Sequence, residues 1–186
     1  MTEQRPIGKV YNIAPQPHDE SNTQWIDAGV VRIGVEYRDV SPEDLEALYS
    51  RDAAELAELR EKSPVGGFSD EGVSLHIAGT VDGHEYLRFD VFDGEPHYHY
   101  VHKVVPGGEV TNQVIDFDAA AEGDMLEWAL ARIATRLPQM LTAAGGAELA
   151  GMINQSELSA ALDQVARLAT AAQSAYRAGR DGKDCR

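Results

Sequence analysis

The chain has 186 residues, 43% of them apolar and 25% charged, and a formal net charge of −15. That length suits one domain with its own core. The strong acidity argues against binding a nucleic-acid backbone or an anionic membrane surface, and is compatible with cations or a basic protein partner.

The single cysteine, Cys185, allows no internal disulfide. There is no Cys/His zinc spacing, no basic-then-apolar leader and no apolar run near the ~18 residues of a membrane helix, so a soluble cytoplasmic protein is the expectation. Residues 1–23 are polar and carry Pro6, Pro15 and Pro17, which reads as a mobile arm. Tyr11, Ile13 and Trp25 are the side chains able to pin it to the body.

Residues 29–38 alternate: Val31, Ile33, Val35 and Tyr37 face one way, Arg32, Gly34, Glu36 and Arg38 the other. This is the pattern of a half-buried strand, expected to join one edge of the strand meander that follows it in the chain. Ser41-Pro42-Glu43-Asp44 then opens a helix, with serine as cap, proline in the first turn and acids at the positive dipole end. The helix is expected to reach about Lys62, with Leu45, Leu48, Tyr49, Leu56 and Leu59 as its apolar stripe. Ser63 to Phe68, with Gly66-Gly67, breaks the pattern. It reads as a flexible loop, with a lid over the polar sheet face as the alternative.

Five of the six histidines lie in the next stretch, Gly72 to Phe117. Turn signals at Val81-Asp82-Gly83, Asp93-Gly94-Glu95-Pro96 and Pro106-Gly107-Gly108-Glu109 divide it into strands near 73–80, 84–92, 97–105 and 110–117. Loops of three, four and four residues pair Leu75 with Phe89, Phe89 with Tyr100 and Tyr100 with Ile115, and they agree on one apolar face. The same register places Ser74, Asp90, His99 and Asp116 in one row on the other face. His76 lies beside Arg88, and His97 beside Phe92. His102 falls on the core face, and His84 sits exposed at a turn.

That row is rich in chemistry. An imidazole between two carboxylates should have its pKa raised, so His99, with Asp90 or Asp116, is the candidate catalytic acid/base. Arg88, His76 and Ser74 would bind a small anionic ligand. His97 and His99 share a strand face, and with Asp116 they could hold a divalent metal; His76, Asp90 and His99 form a second such set. The plainer reading is ordinary cross-strand charge pairing on a solvated face, in an accessory or protein-interaction protein with a structural histidine row. A Ser74–His99–Asp90 triad can be drawn, but a flat sheet row lacks an oxyanion hole.

Asp118 begins a second helical region to about Ala144, in which Met125, Trp128, Ala129, Ile133, Leu137 and Met140 recur at helical spacing. Pro138 should kink or divide it. Asn154-Gln155-Ser156-Glu157 caps a last, alanine-rich helix whose small residues suit close packing within the fold or across a homo-oligomer. The sequence therefore predicts an α+β fold: an antiparallel meander of four to five strands with helices packed on one face, in the order β-α-ββββ-α-α. Residues 24–178 form the domain and residues 179–186 a frayed tail. The expected function is a small-molecule-binding protein or small enzyme with a His/Asp/Arg site on the polar face.

Overall fold

The computed structural model describes residues 7–102 and 111–181. The Pro106–Glu109 turn signal lies outside the described residues. The elements are β1 (Lys9–Tyr11), β2 (Gln24–Ala28), β3 (Val31–Val40), α1 (Pro42–Tyr49), α2 (Ala53–Lys62), β4 (Asp70–Gly79), β5 (Glu85–Phe92), β6 (His97–His102), β7 (Thr111–Asp116), α3 (Ala119–Glu122), α4 (Met125–Ala143), α5 (Ala147–Ala150) and α6 (Gln155–Asp181). The fold is α+β, built on one antiparallel sheet of seven strands in the order β1-β7-β6-β5-β4-β3-β2. Among the described residues no helix is long and apolar enough to cross a membrane.

The strand count exceeds the expected four to five because β1 and β2 carry no clear alternation. β1 has three residues and β2 five, and their strand character comes from their neighbours β7 and β3. β3 joins the β4–β7 meander at its β4 edge, as expected, and β2 pairs on its other side. Gly29, at φ +74°, makes the two-residue turn between β2 and β3.

Helices cover both faces rather than one. The apolar face, with Val35, Leu75, Phe89 and Ile77 fully or nearly fully buried, meets α4 and α6. α4 passes through Pro138 undivided. Proline frees the carbonyl of Ala134, and Gln155 Nε2 donates to it at 2.9 Å, so the gap in the ladder is filled from α6. The region from Ser41 to Lys62 is two helices, broken at Ser50–Asp52, with Ser41 capping α1 and Asp52 capping α2. Their Leu45, Tyr49 and Leu59 join Ile13, Val40, Phe68 and Phe92 in a separate apolar cluster on the opposite face of the sheet.

A strap completes that second layer. β1 pairs at one edge of the sheet and β2 at the other, so residues 12–23 must cross the polar face. The six strand spacings between them amount to about 29 Å, and a chain of that length extends to about 40 Å. Ile13 is 4% exposed, the Tyr49 hydroxyl donates to the Ala14 carbonyl at 2.6 Å, and Arg38 Nη2 donates to Gln16 Oε1 at 2.8 Å. Tyr11 and Ile13, two of the anchors offered by the sequence, are thus part of the body.

Candidate functional site

The side chains of the polar face follow the strand alternation, but their register differs from expectation. Leu75 opposes Phe89 and Val73 opposes Val91, as the first hairpin requires. At the second hairpin Tyr98 opposes Phe89, and at the third Ile115 opposes Tyr98. Each is displaced by two residues from the predicted pairing. A shift of two preserves every face, so alternation cannot detect it. Asp70 braces the second turn by accepting from the amides of Gly94 and Glu95, at 3.0 and 2.6 Å.

The consequence is a different row. Glu36, Ser74, Asp90, His97 and Asp116 lie in line, and His76, Arg88, His99 and Val114 form the next row. His99 still reaches Asp90, diagonally: its Nε2 is 2.9 Å from Asp90 Oδ2. His97 Nε2 approaches the same oxygen at 3.3 Å. Asp90 Oδ1 accepts a short hydrogen bond from the Ser74 hydroxyl.

The far nitrogens of both rings are also held. His97 Nδ1 lies 2.7 Å from the Glu95 carbonyl, and His99 Nδ1 lies 2.9 Å from Asn112 Oδ1. Both partners are oxygen acceptors, so each Nδ1 carries a proton in this arrangement and each Nε2 turns toward Asp90. Asp90, His97 and His99 are 2%, 9% and 7% exposed, so the face is not solvated. In β6 the histidine side is in fact the more buried one. Among the described residues these three form the group able to hold a metal ion, their ligand atoms lying within 4.8 Å of one another. Asp116, expected beside His99, is exposed and stands on the wall of the same pocket.

Electrostatics follow from this geometry. Burial would raise the Asp90 pKa, but the two facing rings, His97 and His99, which donate to it and attract its charge when protonated, hold it well below the usual carboxylate range. Burial would lower the His97 pKa, and Asp90 reverses the effect and raises it. His99 moves the other way from expectation: burial, together with repulsion from His97 and Arg88, outweighs Asp90 and lowers it.

The residues expected to bind substrate are mostly engaged already. His76 is fully buried, with Nε2 2.9 Å from Glu36 Oε2 and Nδ1 2.6 Å from Glu85 Oε1. Arg88 donates to both oxygens of Glu85, at 2.8 and 2.6 Å. Trp25 fits over Gly34, where a Cβ would meet its ring at 2.9 Å, and packs toward His76 with ring centroids 6.3 Å apart. Among the six histidines, His84, partly buried rather than exposed, donates from Nε2 to the Val101 carbonyl (3.0 Å) and His102 donates from Nε2 to Gln113 Oε1 (2.7 Å), both away from the cluster.

Sequence reasoning passed over Glu85, Glu36, Arg38 and Asn112. Glu85 was hidden by a bulge: pairing shifts between Ile77 and Ala78, so Glu85 points to the polar face although period two places it with Leu87. Glu36 and Arg38 carried a visible signal, two charges on the polar side of β3, but the neighbour of β3 was unknown.

Above the cluster lies a pocket of about 140 Å³ whose floor includes Arg38, Arg88, Asp90, His97 and His99. Phe68 and Phe92 meet the His97 ring edge-on, with centroids at 5.7 and 5.6 Å, so the 63–68 loop does lie over the polar face.

A family model described as a domain of unknown function, DUF7700, matches residues 25–169, so the chain belongs to that family. No curated protein and no solved structure matches it.

Proposed function

We propose that this member of the DUF7700 family is a small-molecule-binding protein or small enzyme centred on a divalent cation held by Asp90, His97 and His99. One observation carries the reading: two imidazole Nε2 atoms converge on a single Asp90 oxygen, while both Nδ1 atoms face fixed oxygen acceptors. With each ring proton claimed at Nδ1, two lone pairs and a carboxylate point at one another, and only a cation between them relieves the repulsion. In the absence of metal a proton on His97 serves, which agrees with its raised pKa.

The donor chemistry suits the role. Two imidazoles and a carboxylate bind zinc or iron with coordination positions left open. Ser74, Asn112 and the Glu95 carbonyl supply the outer hydrogen bonds that orient such ligands. A bound cation would polarise a ligand in the pocket or lower the pKa of a bound water. Asp90 takes the place that the sequence suggested for Asp116. A concave pocket above the cluster supports this reading over a flat interface in an accessory protein.

Elemental analysis of the untagged protein tests it. One ion per chain is expected, retained on dialysis and lost from His97→Ala and His99→Ala. A folded protein that binds no iron or zinc would overturn the metal and leave an acid–base histidine pair on Asp90.

A further inference from the structure

We propose that the pocket takes a small organic monocarboxylate whose body is about the size of a benzene ring; this rests on the cation site just described. Charge balance is the first argument. In the buried polar layer that carries the floor, three carboxylates, Glu36, Glu85 and Asp90, face three cations, Arg38, Arg88 and the His76 imidazolium clamped between Glu36 and Glu85. A divalent ion, binding neutral His97 and His99, adds two positive charges to this buried set. A metal-bound hydroxide could take up one of them. The other calls for an anionic group on the ligand, because an uncompensated charge is costly away from water. The rim supplies only part of it: Asp116 acts on His97 from an exposed position where water screens it, Lys9 and Glu95 are exposed as well, and Lys62 is already paired with Glu58.

The anchoring group is Arg38. It is 6% exposed and lines the pocket, its Nη1 standing 4.0 Å from Asp90 Oδ1 and its Nη2 on Gln16. A carboxylate seated beside Asp90 on the cation would find this guanidinium within reach, and planar carboxylates suit it.

Size and lining decide the rest of the ligand. The cavity of about 140 Å³ is close to one that accommodates benzene. Its upper wall is apolar and aromatic, from Ile13, Val40, Leu45, Tyr49, Phe68 and Phe92. A bare inorganic anion would leave that wall unused, and a neutral molecule would leave the floor charge unmatched.

The test titrates the zinc-loaded protein with benzoate, benzamide and inorganic phosphate, after the zinc content has been read by elemental analysis. Benzoate should bind roughly ten-fold or more tightly than benzamide. It should also bind more tightly than phosphate. Arg38→Gln should weaken benzoate by a similar factor with zinc content unchanged. Leu59→Trp, which fills the wall without touching the floor, should do the same and covers the case in which Arg38→Gln does not fold. Zinc bound with benzamide or phosphate equal to benzoate, or benzoate indifferent to both substitutions, overturns the carboxylate and leaves the cation site standing. A protein that takes up no zinc overturns both.

Discussion

The two faces of the sheet are buried to a similar degree by opposite means. On one, Leu75, Ile77, Leu87 and Phe89 are fully buried among apolar neighbours beneath α4 and α6. On the other, Glu36, His76, Arg88 and Asp90 are at most 4% exposed beneath the strap and the α1–α2 pair. Apolar burial is non-directional and stabilises wherever area is removed from water. Burial of charges is tolerable only when every group has its partner, and it seldom exceeds an apolar core in stability. In the second layer the apolar cluster around Ile13, Leu45 and Phe92 stabilises, while the charged floor beneath it adds little stability of its own.

Substitutions can break this contrast, beginning with the largest effect. Phe89→Ala should lower unfolding free energy by about 3–5 kcal/mol by opening a cavity. The zinc content of the folded protein should be unchanged, since Phe89 faces away from the cluster. Loss of metal without loss of stability, in denaturant titrations beside elemental analysis, would erase the distinction between the faces. Glu85→Ala should cost about 3 kcal/mol, because it strips the Arg88 guanidinium and the His76 imidazolium of a shared carboxylate. A near-neutral result would mean that the polar layer is wetter than its burial implies.

Asn112→Ala sharpens the comparison further. It should weaken zinc about 10–100-fold by releasing His99 Nδ1, as outer-shell losses do, with little change in the apolar core. Competition against a chelator measures it.

The smallest effect is a pH dependence. Burial would lower the pKa of His76, but hydrogen bonds with Glu36 and Glu85 outweigh it and raise it. The folded form therefore holds this proton more tightly than the unfolded chain does. The resulting stability is fully present below the unfolded pKa of about 6.5 and lost as pH rises through the folded value. The stability difference between the native chain and His76→Gln, from urea midpoints taken between acid and alkaline pH, should shrink as pH rises. Subtraction removes the contributions of the other titrating groups. A difference that grows with pH would show that His76 is buried neutral.

Faces were legible in the sequence because alternation has a period of two. Leu75, Phe89 and Tyr100 were assigned to one side of the sheet, and Ser74, His76, Arg88, Asp90 and His99 to the other, and so they lie. The helix start at Ser41, the cap at Asn154 and the apolar stripe of α4 were legible for the same reason: they depend on residues a turn apart. His99 and Asp90 were paired correctly even from a wrong register, because the face was right and an imidazole reaches diagonally.

What tertiary structure alone decided is everything that depends on distance along the chain. A two-residue slip exchanges His97 for His99 opposite Asp90 without moving any side chain to the other face, and it is settled by contacts such as Asp70 on the second turn. A bulge redirects Glu85, against its own alternation, onto His76 and Arg88. The strap from β1 to β2, and the placement of α1 and α2, turned a face that looked solvated into the floor of a pocket. Local pattern specifies which side of a strand is apolar. Which charges are buried together depends on pairing energies between segments far apart in sequence, and these exist only once the sheet is assembled.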